Sequence, residues 1–521
     1  MNLEKIKKTP EAAAALWAVV VGIIAHLFAL TNPLHNYDNI LQNPQGVGAG
    51  VTSGRWFLDF LGTVNTDVLD LNYNLPLTKG LAFIVLIALT SAILVNILKI
   101  RSNVSASLLG CLMVTFPAVC STMAFRYTAD YYGIALLLSV GAVWLIDFHK
   151  FGFAGAIVCI ACSMGIYQAY VPFTIGLFVL LLIRRSLETD AEFSELVRKG
   201  FFYCFVLIAG VLLYFVMVKV SLALASGENE VVLDSYLGIN NMGKIPMDRL
   251  PRLLKRAFSY GALFAVRNYC GLAPSAPLKL IWVLLIMLTV AFVGVILLQR
   301  KIKLLNILFC GLMGLMFPLA INFQIVMSPD NFPYTIMVYS IVLVGCAPLM
   351  LLEMVHFEKE WLVTSTRRVT VIFVLLITIY NGYYTNYNYT YLHYTNRQVE
   401  NYLNGLTVQI RMTEGYTPDM KWIFVGDIND PDFWNIWDSD LAYGGFINCS
   451  PRGLLSATYS LHGWYSNYLG FGVPFASEEE CAGMMERDTV DKMPCWPTDG
   501  SIQVIDDYVV VKFQEIDELE Q

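Results

Sequence analysis

Apolar residues run in blocks of about the length a bilayer demands, since a hydrocarbon core of about 30 Å takes roughly 20 residues of helix. Eleven such blocks lie near 13–31, 78–99, 105–125, 131–148, 151–169, 171–184, 200–226, 278–299, 303–327, 334–356 and 368–387. Pro172 interrupts the 151–184 region, where the sixth block is short. The first block follows a charged start, MNLEKIKK, and so imitates a secretory signal. Its apolar part is too long for a signal core and no small-x-small cleavage site follows, so it reads as an uncleaved first membrane helix. Beyond the last block the pattern changes. KWIFVGD (421–427) reads as a strand and SIQVIDDYVVVKF (501–513) as a two-stranded hairpin. The expected fold is mainly α: a polytopic membrane protein with about 11 transmembrane helices over 1–390. A small extracytoplasmic α/β or α+β domain at 391–521 completes it.

Loop charge sets the orientation. With the N-terminus in the cytoplasm, the inner loops collect Lys5, Lys7, Lys8, Lys99, Arg101, Lys150, Arg184, Arg185, Arg198, Lys199, Arg300, Lys301, Lys303, Lys359, Arg367 and Arg368. The short outer loops hold almost none, which is the positive-inside asymmetry. Segments 32–77 and 227–277 and the C-terminal domain then face outward. The cell envelope this implies is a bacterial inner membrane, crossed many times, with the C-terminal domain periplasmic.

Composition agrees. Of 521 residues 56% are hydrophobic and 14% charged, against about 25% charged in soluble domains. A net charge of −7 argues against a nucleic-acid partner. Six histidines are scattered, without an HExxH, paired CxxC or P-loop pattern. Cys159 and Cys162 do read C-x-x-C, but inside an apolar helix, where small core cysteines are the ordinary case. Cys449, Cys481 and Cys495 in an oxidising compartment allow one disulfide with one thiol left over.

Most of the polar residues that could do chemistry fall at the outer ends. Asp38 sits just past the first helix, where a carboxylate near a low-dielectric rim can act as a general base. Asp67 and Asp70 follow in NTDVLDLNYN. Between them, NPQGVGAGVTSG is turn-rich, and SGRWFLDFLG predicts a short interfacial helix. Its apolar face carries Trp56, Phe57, Phe60 and Leu61, and its other face an Arg55/Asp59 i,i+4 pair. Arg126, Tyr127 and Asp130 stand at the turn between spans three and four, Tyr167 and Gln168 end span five, and Asn331 lies between spans nine and ten. Polar groups at helix ends near lipid usually line a wet cavity. In 227–277, Leu250, Leu253, Leu254, Ala257 and Phe258 oppose Arg249, Arg252, Lys255 and Arg256, a basic amphipathic helix suited to membrane lipid and its phosphates. Tyrosines 380, 383, 384, 387, 391 and 394 share one face of an extended eleventh helix, fit for sugar stacking or for packing the outer domain.

The order of these parts, YDN (37–39), SGRW (53–56), YTADYYG and YQAY at later outer ends, resembles the membrane glucosyltransferases that include the O-antigen serotype-converting enzymes, over residues 10–390. The resemblance implies a GT-C-type architecture. It also implies transfer of a hexose, glucose in that family, from a polyprenyl-phosphate carrier to a lipid-linked polysaccharide on the outer face. By that likeness Asp38 is the base, with Asp67 or Asp70 as substitutes, and Arg55, Arg126 or the 252–256 cluster holds the donor phosphodiester. No cofactor is required; a divalent metal between Asp38 and Asp67 or Asp70 is optional and not favoured. Two rival readings remain: a flippase for a lipid-linked sugar, disfavoured by the lack of mid-span charges and inverted repeats, and another polyprenyl-dependent polymerase or ligase.

Overall fold

The computed structural model describes residues 9–38, 40, 50–148, 151–226, 231–234, 240–242, 244, 247–330, 332–355, 359–428, 441–446, 451–455 and 458–516. Among them, eight helices are long and apolar enough to cross a membrane, and three shorter apolar helices, Gly152–Ile166, Leu304–Ala320 and Tyr339–Leu352, lie where the remaining spans are expected. The chain is therefore a helical membrane protein.

Helices α1 (Pro10–Thr31), α2 (Trp56–Thr63), α3 (Pro76–Ile97), α4 (Asn103–Thr115) and α5 (Pro117–Ala124) build the first half with α6 (Ala129–Phe148) and α7 (Gly152–Ile166). The break between α4 and α5 has a local cause. Pro117 has no N–H to give and forces Phe116 into extended backbone (ψ 139°), so one span is made of two helical pieces. Pro172 acts differently: it occupies the first turn of α8 (Val171–Ser186), where a missing N–H costs nothing. The bundle packs closely where side chains are absent. A Cβ on Gly110 of α4 would collide with the Ala14 carbonyl of α1.

The second half holds α9 (Phe193–Ala225), α10 (Leu250–Ala262), α11 (Ala276–Gln299), α12 (Leu304–Ala320) and α13 (Leu343–Leu352). Helix α10 is amphipathic as expected, but its buried face is Leu253, Ala257 and Gly261. That face lies on protein: a Cβ on Gly261 would meet the Pro318 carbonyl of α12. Phe258, on the apolar face expected to lie on the membrane, is exposed.

Helix α14 (Glu360–Met412) runs 53 residues without interruption. Its tyrosines do not share one environment: Tyr384 and Tyr391 are buried while Tyr383 and Tyr394 are exposed. With the buried tyrosines go Asn381, Thr385, Asn388, Thr395 and Asn396. Near the membrane, Tyr389 hydrogen-bonds His26 Nδ1 of α1 (2.7 Å). One residue earlier, Asn388 Oδ1 accepts from the Tyr443 N–H (2.8 Å) and so ties in the C-terminal region.

That region carries β1 (Lys421–Val425), β2 (Ile502–Ile505) and β3 (Tyr508–Lys512) in the order β1-β3-β2. β2 and β3 form the expected hairpin, and β1 joins β3 in parallel. A helix, α15 (Thr458–Gly463), runs on as a π-helical stretch to Leu469, and α16 (Glu478–Met485) covers the sheet. The Cys481 and Cys495 thiols are not bonded to one another; Cys449 lies outside the described residues.

Glu480 closes the capping box of α16 with Ser477 and accepts from Lys421 Nζ (2.6 Å) and the Tyr508 hydroxyl (2.9 Å). Lys421, the Ser477 N–H and Tyr508 together pull its carboxyl down from 4.5 to about 2. A carboxyl whose pKa is depressed on folding adds stability above its unfolded pKa and loses it as the pH falls through the folded one. Glu480→Gln should therefore lower the melting temperature of the C-terminal region near neutral pH. The gap to wild type should close between pH 4.5 and about 2, as followed by thermal unfolding across pH.

Candidate functional site

Residues 32–38 leave α1 as irregular chain, so their backbone groups need partners from elsewhere. His35 is held at both: its N–H donates to Asn396 Oδ1 (2.9 Å) and its carbonyl accepts from Asn396 Nδ2 (2.7 Å). Arg126 Nη1 donates to the Leu34 carbonyl (3.3 Å), and Asn467 Nδ2 to the Ile40 carbonyl (2.9 Å). The Asp38 N–H donates to Asn36 Oδ1 (3.0 Å), a local Asx turn. So fastened, the loop presents the half-buried Asp38 carboxylate to Tyr127, whose hydroxyl donates to Asp38 Oδ2 at 2.5 Å.

Arg55 arrives from the other end of the loop. Gly54 precedes it in the left-handed region (φ 69°), and a Cβ there would lie 2.6 Å from the Tyr214 hydroxyl. The Arg55 guanidinium donates to the Tyr132 hydroxyl (3.1 Å) and lies over the Tyr167 ring (5.0 Å). Tyr132 and Tyr167 stack on each other at 4.4 Å. Tyr127 and Tyr132 both lie within electrostatic reach of Asp38 and of Arg55, which joins carboxylate and guanidinium into one cluster. Gln168 Nε2 braces it by donating to the Ser53 carbonyl and to the Tyr214 hydroxyl, both at 3.0 Å.

A cavity of about 80 Å³ opens beside this cluster, lined by Arg55, Tyr167 and Gln168 together with Gln324, Met327 and Met337. Two buried polar atoms there, Arg55 Nε and Gln324 Oε1, have no hydrogen-bond partner among the described residues. A donor and an acceptor left open beside a cavity suit a polar ligand, because an unmet buried group otherwise costs about 1–3 kcal/mol.

Other expected site residues sit differently. Trp56 faces inward, against Gly165 of α7 (2.7 Å to a Cβ built there), and of the apolar face of its helix only Phe60 is strongly exposed. Among the described residues no ion pair joins Arg55 to Asp59; burial raises the Asp59 carboxyl above its usual value beside Gly50. Asp130 is bound to Lys79 Nζ at 2.9 Å, a nearly buried pair with Lys79 also above the Tyr131 ring. Asp67 and Asp70 are exposed, accepting from Thr66 (2.8 Å) and Asn72 (2.6 Å), their sequence neighbours. Arg252 and Lys255 point outward from α10, while Arg256 lies over the Phe332 ring (5.3 Å). Asn331 lies outside the described residues. Among those, no group of three or more His, Cys, Asp or Glu could hold a metal ion.

Sequence reading does not single out Lys79, Tyr132, Tyr214, Gln324 or Asn396. A lysine three residues into an apolar helix is the one available sign of the Lys79–Asp130 pair. Gln324 and Asn396 gain their roles only from partners far along the chain.

A model of the glucosyl transferase GtrII family matches residues 27–345, which takes in more than half of the chain and the whole of this cluster. No curated protein and no solved structure matches it.

The Lys79–Asp130 pair gives a direct test of structural against ligand-binding roles. Lys79→Met strands a buried carboxylate and should cost about 3–5 kcal/mol, whereas Lys79→Met/Asp130→Leu should recover most of it. Thermal unfolding in lipid nanodiscs measures both. An Asp130 that serves substrate would leave the double variant stable but unable to bind it.

Proposed function

This chain belongs to the glucosyl transferase GtrII family, and we propose that it moves glucose from a polyprenyl-phosphate carrier to an extracytoplasmic, lipid-linked glycan such as O-antigen. As a glycosyltransferase it needs a sugar donor and a glycan acceptor. The observation that carries the finer reading is the pairing of one half-buried carboxylate, Asp38, with one guanidinium, Arg55, across a shared set of tyrosines.

A lipid-phosphate donor needs no more than this. The acceptor hydroxyl attacks the anomeric carbon, its proton passes to Asp38, and the sugar C–O bond to phosphate breaks. The departing polyprenyl phosphate keeps the electron pair as an anion, which Arg55 stabilises by charge and hydrogen bonding. Tyr127 holds one Asp38 oxygen, Oδ2, and on this reading Oδ1 takes the acceptor's proton. A single displacement of this kind inverts the anomeric centre. Asp67 and Asp70 stay in the reading only as substitutes for the base.

The lipid tail also has a place to go. An apolar cavity of about 580 Å³ lies among α8, α11, α12 and α13 and is roofed by Gly261 and Ala262 of α10. Ile321 lines it, and Gln324, three residues on, lines the polar cavity beside Arg55. A chain lying there would bring its phosphate to the guanidinium, with Arg252 and Lys255 on the exposed side of α10 for lipid phosphates. On this reading the bundle crosses a bacterial inner membrane eleven times, N-terminus inside, with 1–390 as a GT-C-like domain and 391–521 outside.

Lipid-linked sugars and envelope glycans from cells with and without the protein test the reading. Transfer predicts glucose on the glycan and loss of polyprenyl-phosphate glucose. A flippase would move that lipid without consuming it, and a polymerase would lengthen the glycan without adding glucose. Arg55→Ala should raise the KM for the donor at least tenfold; an unchanged KM would remove Arg55 from the phosphate.

A further inference from the structure

A cavity of about 640 Å³ lies neither in the bundle nor beside Asp38 but in the C-terminal region, between β1 and α16. It falls outside the residues that the family match covers. Three aromatic rings line it: Trp422 and Phe424 from β1 and Phe475 from the segment that runs beside that strand. His462 lines it too, stacked on Phe475 with ring centroids 3.8 Å apart. Asp427 and Glu478 supply carboxylates, and no Lys or Arg is among the described residues lining it. Burial lowers the His462 pKa below 6.5, so the imidazole adds no positive charge near neutral pH.

Trp422 adds a polar group that a ligand would satisfy. It is 2% exposed, yet its indole N–H has no acceptor among the described residues. A buried indole usually finds a partner. A ligand oxygen in the cavity would supply one.

We propose that this cavity is a saccharide-binding site that takes a neutral or amino sugar of the acceptor glycan, away from the sugar being modified. The flat faces of pyranose rings carry C–H groups that stack on aromatic rings, while their hydroxyls donate to carboxylates and accept from an indole N–H. Two carboxylates without a lining cation oppose uronic acids, phosphates and nucleotides.

Position supports the acceptor as the source. The 458–469 segment has two working faces. On one, Ser460 donates to the Tyr37 carbonyl (3.4 Å), Asn467 to the Ile40 carbonyl (2.9 Å), and Tyr468 packs edge-on to His35 (5.0 Å). On the other, His462 lines the cavity and Tyr465 packs against Trp422 (5.4 Å). The cavity and the Asp38 loop are thus separated by about one helix diameter, roughly 10 Å, about the span of two sugar units. The identity of the saccharide as acceptor rests on the transferase reading; the binding itself does not.

The test uses the full chain in lipid nanodiscs on an array of defined neutral, amino and acidic oligosaccharides. Wild type and Asp38→Asn should retain the same neutral or amino saccharides. Phe475→Ala, and separately the near-isosteric Asp427→Asn/Glu478→Gln in case the first fails to fold, should lose at least tenfold in affinity. Retention of no saccharide, preference for acidic ones, or equal retention by the folded variants would each overturn the proposal. Saccharide binding without glucose transfer would count against the transferase reading alone, and transfer with unaltered variants against this cavity alone.

Discussion

One asparagine on a long helix decides where the carboxylate of the site can be. From Asn32 to Asp38 the chain has no helix or strand to satisfy its backbone, and Asn396 meets both groups of His35 across 361 residues of sequence. Arg126, Ser460 and Asn467 take further carbonyls of the same loop. Without that set of donors the loop would have to turn to water, and Asp38 would be an ordinary solvated carboxylate. Fastened, it meets Tyr127 in a half-buried place where a carboxylate can be held for one partner and one proton. The cluster is therefore a property of two distant parts of the chain: the bundle, and the outer end of α14 together with the 458–469 segment.

How much of this is legible in the sequence depends on the range of each interaction. The apolar blocks depend on local composition, so the helices stand near their expected places, and the hairpin at 501–513 comes from alternation and an Asp-Asp turn. Arg55, Tyr127, Tyr167 and Gln168 stand out by position at helix ends and do come together. Pairing is what local pattern cannot carry. Asp130 looks like the other polar helix ends until Lys79, 51 residues earlier, proves to be its partner. The tyrosine stripe of α14 is conspicuous, but it divides: Tyr384 and Tyr391 go inside with Asn388 and Asn396, whose amides bond backbone, while Tyr383 and Tyr394 stay exposed. Trp56 has the pattern of a lipid-facing anchor; Gly165 makes the gap that draws it into the bundle.

The same geometry divides labour. The matched family region, 27–345, holds the Asp38–Arg55 cluster and most of the lining of the apolar cavity beneath α10, the parts that the proposed transfer uses. The remaining chain holds the loop from outside and carries the aromatic cavity. The 458–469 segment is where the two parts meet, since it touches the loop on one face and the cavity on the other.

The most direct measurement is glucose transfer by purified protein in proteoliposomes supplied with polyprenyl-phosphate glucose and acceptor glycan. Asp38→Asn should bind the donor as wild type does and transfer about 10²–10⁴-fold more slowly, the usual loss on removing a general base. Transfer by that variant at the wild-type rate would contradict the account, since no other part of the cluster could then be said to depend on where the loop places its carboxylate.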